Sequence, residues 1–132
     1  MAAAKTPPEF LSVIEDDPDI QFLIRNIFAM DSRFTIANMC ETTEDALDCA
    51  RTSVPGIIVL DHGEPGSLTG LDAAPLLKKL APDAKIILFT AHAELEARAD
   101  DEPAIDSFLL KTDPTQLLPL AARLAGLDEP FA

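Results

Sequence analysis

Five polar residues stand at the ends of short apolar runs, and together they offer the groups that hold a cation and a phosphoryl group. Glu15 and Asp16 follow Leu11-Ser12-Val13-Ile14, and Asp61 follows Gly56-Ile57-Ile58-Val59-Leu60. Thr90 closes Lys85-Ile86-Ile87-Leu88-Phe89, and Lys111 follows Phe108-Leu109-Leu110. Clustered carboxylates repel one another, and a hard cation with oxygen ligands relieves that repulsion. Mg2+ takes one or two carboxylates, keeps waters and binds phosphate oxygens. An ionised aspartate in that setting can attack phosphorus without a general base. Lysine, a compact point charge, suits a phosphoryl oxygen or the aspartate itself.

These residues work together only if the chain brings them to one place. Short aliphatic runs bounded by Pro, Gly and Asp read as buried parallel strands, here over about 10–15, 34–39, 56–60, 85–90 and 106–110. Helical stripes alternate with them. Ile20, Leu23, Ile24, Ile27 and Phe28 follow an Asp17-Pro18 cap-plus-proline signal. Ala46, Leu47 and Ala50 follow Thr43 as a cap, and Ala73, Leu76, Leu77 and Leu80 form a third stripe. A weak acidic candidate spans about 93–100, ended early by Pro103. Asp113-Pro114 opens a last stripe of Leu117, Leu118, Ala121 and Leu124, stopped by Gly126. Strand–helix alternation of this length predicts an α/β domain, a doubly wound five-stranded parallel sheet with helices on both faces. In such sheets ligands collect outside the carboxyl ends of the strands.

Two prolines test this scheme. Pro75 is harmless if Asp72 caps the third helix, since it then falls in the first turn, and would break that helix if Thr69 were the cap. Pro119, counted from Asp113, falls past the first turn and should kink the last helix.

Composition narrows the partners. The 132 residues, 48% of them hydrophobic, suffice for one packed domain, and no apolar run approaches the roughly 20 residues of a membrane span. A net charge of −13 argues against binding nucleic acid or an anionic membrane, which need basic residues. Cys40 and Cys49 have no metal-ligand spacing and no disulfide framework, and read as buried or half-buried thiols. The opening Met1–Pro8 lacks an apolar signal core, which predicts a disordered tail over 1–9 and a cytoplasmic protein.

In this order the residues resemble the receiver domains of two-component response regulators over about 10–126, with 127–132 as a C-terminal tail. The matching elements are Glu15-Asp16, Asp61 in Leu60-Asp61-His62-Gly63-Glu64-Pro65-Gly66, Thr90-Ala91, and Phe108-Leu109-Leu110-Lys111. The resemblance implies the flavodoxin-like strand order 2-1-3-4-5. It implies Asp61 as the phosphoacceptor, and Mg2+ held by Glu15, Asp16, Asp61 and the backbone carbonyl of Gly63. Thr90 and Lys111 would contact the phosphoryl group, with Phe108 and Thr90 as the switch pair. The implied donor is a phosphohistidine on a sensor histidine kinase or histidine phosphotransfer protein. Output would leave through the face of helix 4, strand 5 and helix 5. Such a domain is not an enzyme in the ordinary sense, since it catalyses only its own phosphotransfer and autodephosphorylation.

The chain departs from the family in three places. Thr112 replaces the proline that usually follows the lysine, often in a cis bond. The loop Gly66-Ser67-Leu68-Thr69-Gly70 looks one residue longer, and the fourth helix looks short. With six residues after Gly126, the expectation is a single domain acting by protein contact, although an excised domain would read the same. Two other readings fit some of these residues. One is a degenerate receiver serving as a non-phosphorylated interaction module. The other is a haloacid-dehalogenase-type phosphatase, whose aspartate and acid pair come in the opposite chain order. His62 and His92 flank the expected pocket and read as solvent-facing loop residues rather than metal ligands.

Overall fold

A computed structural model of the chain describes residues 9–63 and 68–127. Five parallel strands, β1 (Glu9–Ile14), β2 (Phe34–Cys40), β3 (Ile57–Leu60), β4 (Lys85–Thr90) and β5 (Ser107–Leu110), lie in the order β2-β1-β3-β4-β5. Five α-helices connect or follow them: α1 (Pro18–Ala29), α2 (Thr43–Ala50), α3 (Gly70–Leu80), α4 (Glu96–Asp100) and α5 (Leu117–Leu124). This is the doubly wound 2-1-3-4-5 sheet that the alternation and the resemblance together predict.

The runs Ile57–Leu60 of β3 and 86–89 of β4 are apolar without a break because both faces of these central strands are covered. Ile58, Leu60, Ile86 and Leu88 pack with Ala73, Ala74 and Leu77 of α3. Their neighbours Ile57, Val59, Ile87 and Phe89 point the opposite way, towards Ile24 and Phe28 of α1 and Leu117 and Ala121 of α5. Period-two alternation thus divides each strand between two cores. Register aligns the strand ends: Ile14 pairs with Leu60, Leu60 with Leu88, and Thr90 with Leu110. The ladder continues one step further, where Asp61 N–H donates to Ile14 O (3.0 Å) and Lys111 N–H donates to Thr90 O (2.8 Å).

Asp17 caps α1, its side chain accepting from Asp19 N–H at 2.8 Å, with Pro18 in first position. Two other caps differ from expectation. Thr42, not Thr43, caps α2, accepting from Asp45 N–H at 3.1 Å. Thr43 is instead buried, and its hydroxyl donates to Leu68 O at 2.9 Å. Helix α3 is capped by Thr69, not Asp72, and it runs through Pro75 unbroken. Pro75 is its sixth residue and removes only the hydrogen bond to Leu71 O. Burial of Leu71, Ala73, Ala74 and Leu77 against the sheet outweighs that loss. Leu76 is exposed, outside the apolar stripe in which the sequence placed it.

Pro119 does not interrupt the last helix. Asp113 makes no side-chain cap, a 3-10 turn over Pro114–Gln116 comes first, and α5 begins at Leu117. Pro119 is therefore the third α-helical residue, in the first turn where amide donors lack partners. Helix α4 is short, a 3-10 turn at Ala93–Leu95 leading into five α residues that end before Pro103. No peptide bond in the described residues is cis, so Lys111–Thr112 is trans. The expected disordered tail falls mostly on residues 1–8, outside the described residues, while Glu9 already belongs to β1. Most of the expected C-terminal tail also lies outside them, but Leu127 donates its N–H to Ala122 O (2.8 Å) and packs on the core. The longer loop after Asp61 lies partly outside them, at 64–67.

The two prolines should respond differently to replacement. Pro75→Ala restores an interior helix donor and is expected to raise stability by about 1–3 kcal/mol. Pro119→Ala, in a first turn, should shift it by less than about 1 kcal/mol. Urea unfolding of both variants measures the contrast, and equal shifts would contradict the helix starts described here.

Candidate functional site

The edge where the strands end carries the residues singled out from the sequence. Glu15 extends β1, and its own N–H donates to Cys40 O at the end of β2 (2.8 Å). Its carboxylate turns inward: the side chain is 2% exposed, Oε2 accepts from Asp17 N–H (3.1 Å), and Oε1 lies 2.6 Å from Lys111 Nζ. Gln21 on α1 fixes the backbone here, donating from Nε2 to Glu15 O at 2.6 Å. Lys111 also reaches Asp61 Oδ1, at 3.0 Å. One ammonium thus bridges acids from two neighbouring strands. Asp16 stands beside them in solvent, and Glu15, Asp16 and Asp61 each offer a carboxylate oxygen within 4.8 Å of the others.

Three carboxylates face one ammonium, a formal surplus of two negative charges. Burial raises the pKa of Glu15 above its ordinary 4.5, and the charge of Asp61 adds to the rise, opposed by hydrogen bonds from Lys111 and Asp17 N–H. Burial works to lower the pKa of Lys111, but its hydrogen bond to Glu15 and the charge of Asp61 prevail and hold it above 10.5. The cluster therefore favours additional positive charge. Its all-oxygen donor set, part buried and part open, suits a hard divalent cation.

These acids line a cavity of about 180 Å³, together with Glu41 and Thr42 of the β2–α2 turn and Thr43 and Glu44 at the start of α2. Gly63 lies on its rim with φ +83°, a conformation that favours glycine and sets the direction of its carbonyl. Gly70, first residue of α3, presses against the same segment. Its N–H donates to His62 O (2.7 Å), and a Cβ added there would stand 2.5 Å from Asp61 O. The helix start thus clamps the backbone that carries Asp61.

Thr90 is fully buried, and its hydroxyl accepts from His92 N–H at 3.1 Å. Phe108 pairs with Leu88 and is half-buried against the core on the α3 side. His92 is exposed as expected, with Nδ1 3.3 Å from Glu94 Oε1. His62 is only partly exposed: its Nδ1 is buried without a hydrogen-bond partner, and burial followed by the charge of Arg98 lowers its pKa. Neither histidine joins the acid cluster. Sequence reasoning missed Gln21, Thr43 and Gly70. Gln21 sits on the first turn after the acid pair and Gly70 at a helix start, but neither position reveals its contact partner without the fold.

A family model, the response regulator receiver domain, matches residues 11–122. The chain belongs to this receiver family. Response regulator protein TrrA from Thermotoga maritima, solved in complex with Mg(2+)-BeF, shares 26% identity and a TM-score of 0.76 over 88% of this chain and 98% of its own. A two-component response regulator of the LuxR family from Aurantimonas sp. SI85-9A1 superposes at TM-score 0.78 with 22% identity, over 91% of this chain and 87% of its own. Among curated proteins, one of Pseudomonas aeruginosa described as a transcriptional regulator is 32% identical over 118 residues, 86% of this chain but only 56% of that protein. Regulatory protein LuxO of Vibrio vulnificus is 31% identical over 88 residues, 67% of this chain and 19% of its own length. The receiver thus spans about half, or less, of the curated relatives it matches. Family membership leaves the phosphatase alternative without support.

Two outcomes test this geometry. Folded Glu15 holds its proton more tightly than unfolded Glu15, so ionising it works against folding, and stability falls as pH rises from 4.5 through the raised pKa. Glu15→Gln should flatten that segment of the metal-free stability profile, and denaturant midpoints at several pH values measure it. Gly70→Ala should weaken Mg2+ binding by about tenfold or more through displacement of Asp61. Calorimetric titration of the folded variant is the check, and an unchanged affinity would refute the clamp.

Proposed function

We propose that this receiver, a unit over residues 10–126, accepts a phosphoryl group on Asp61 from a phosphohistidine of a sensor kinase or histidine phosphotransfer protein. The observation that carries the reading is the position of Lys111 Nζ, 3.0 Å from Asp61 and 2.6 Å from Glu15 beside a three-carboxylate cluster. Glu15, Asp16, Asp61 and the carbonyl of Gly63 would hold Mg2+. Bound there, the ion supplies positive charge that draws in the phosphoryl oxygens and offsets the surplus of the acids.

The chain's own residues would do the rest. The Asp61 carboxylate attacks phosphorus as the P–N bond to the donor imidazole breaks, and the bonding pair stays on that nitrogen, which takes a proton from solvent. Lys111 releases part of its contact with Asp61 and meets the new phosphoryl oxygens. Thr90 exchanges its hydrogen bond from His92 N–H for one to the phosphoryl group. Phosphorylation adds close to two negative charges, enough to bias a bistable loop. Phe108 on β5 would then change its packing as Thr90 moves, and the signal would leave by the face of α4, β5 and α5. The short α4 and the late start of α5 give that face its own shape. The reading places the protein in the cytoplasm, working by protein contact without nucleic acid or membrane. Among the described residues no helix is long and apolar enough to cross a membrane.

The test is incubation with a small-molecule phosphodonor and Mg2+, followed by intact mass. One phosphoryl adduct is expected on the wild type and none on Asp61→Asn or without Mg2+. A wild-type chain that takes up no phosphoryl group would transfer support to the non-phosphorylated interaction module.

A further inference from the structure

The sequence set aside Cys40 and Cys49 as two unrelated thiols, but the fold brings them together. Cys40 ends β2 and Cys49 lies near the end of α2. Both are free, and their Sγ atoms are 3.8 Å apart, in van der Waals contact. Cys40 is packed in the core against Ala46 and Ala50 of the same helix, and Cys49 is half-buried. One hydrogen bond ties Cys40 to the acid cluster, and another ties the helix of Cys49 to the segment beyond Asp61. Cys40 O accepts from Glu15 N–H (2.8 Å), and Thr43 at the head of α2 donates to Leu68 O (2.9 Å) in the loop that follows Asp61.

We propose that Cys40 and Cys49 form an oxidation site, a dithiol that a peroxide closes to a disulfide and a thiol reductant reopens, and that closure slows phosphorylation of Asp61. The second half rests on the phosphoacceptor reading given above. Cys49, the more exposed sulfur, attacks the peroxide. The O–O bond breaks, Cys49 becomes a sulfenic acid, and one water leaves. Cys40 sulfur then attacks Cys49 sulfur, the S–O bond breaks, and the Cys40 proton leaves with the departing hydroxide as a second water. Two thiols and one peroxide give one disulfide and two waters, with two electrons passing from sulfur to oxygen. Burial, reinforced by the neighbouring Cys49, pushes the Cys40 thiol up to about 12. Cys40 therefore stays protonated and inert towards solvent oxidants, and it is the 3.8 Å contact that lets it give up its proton to the hydroxyl leaving Cys49 as the two sulfurs join.

Closure shortens the sulfur separation from 3.8 Å to the roughly 2.05 Å of a disulfide. Side-chain rotation takes up part of that change, and approach of α2 to the end of β2 takes up the rest. Those are the two elements bonded to Glu15 and to the Asp61 loop. Reacting groups tolerate little displacement: about 1 Å can cost a hundredfold in rate.

The experiment treats the full chain with hydrogen peroxide, removes the oxidant, alkylates in denaturant and reads intact mass. Phosphoryl uptake from a small donor and Mg2+ binding by calorimetry are measured on the same samples. The oxidised chain should lose the mass of two hydrogens, resist alkylation, form no disulfide between chains and take up the phosphoryl group about tenfold more slowly. Dithiothreitol should restore the rate. Cys49→Ala should keep the reduced rate in peroxide, and reversal by dithiothreitol in the wild type stands as the control if that variant folds poorly. Two alkylated thiols after oxidation, a disulfide between chains, or a disulfide with unchanged rate and Mg2+ affinity would each overturn the proposal. A reduced chain without phosphoryl uptake would instead sink the phosphoacceptor reading. The mass and Mg2+ measurements would still decide the fate of the thiol pair.

Discussion

Packing like charges against one edge of an apolar sheet requires a counter-charge, and Lys111 supplies it. Its ammonium touches Glu15 and Asp61, on strands that neighbour each other, while its own strand lies two places away across β4. Without that reach, a carboxylate almost wholly removed from water would face another acid unscreened, which costs several kcal/mol in a buried setting. The charge also limits how the strands can slide. A one-residue shift of β5 would turn Lys111 to the other face of the sheet and leave the acids unpaired.

A second constraint is the backbone around Asp61. The aspartate sits at the end of a strand where the ladder has run out, yet Ile14 O and the first residue of α3 still hold it. Gly70 approaches too closely for any side chain. The Asp61 carboxylate is thus fixed by main chain on both sides, and its freedom is confined to the side chain. Such support suits a group whose work depends on position more than on strength as a nucleophile.

Much of this was legible in the sequence because its signals were local. Strands β3 and β4 announce themselves by uninterrupted aliphatic runs, and Asp17-Pro18 marks a helix start whatever lies around it. The gathering of Glu15, Asp16, Asp61 and Lys111 was legible because each follows such a run. The errors came where tertiary contact outweighed local chemistry. Thr42 and Thr43 are equivalent cap candidates in sequence, and only burial of Thr43 against Leu68 separates them. Pro75 argues locally for a later helix start, but the apolar face of α3 recruits an extra turn before it. Pro119 argues for a kink that the chain avoids by opening with a 3-10 turn. The contact between Cys40 and Cys49 needs both the end of β2 and the docking of α2, and no pattern of spacing shows it.

The bridge from Lys111 to Glu15 and Asp61 joins residues 96 and 50 positions apart in the chain. Contacts of such separation form late, after the sheet between them has assembled. Until β5 joins the sheet, the acids of β1 and β3 lack their counter-charge. The pocket is therefore complete only once nearly the whole domain has folded, which makes it a check on completeness. A truncated or half-folded copy would carry the acids but not the ammonium that holds them in place.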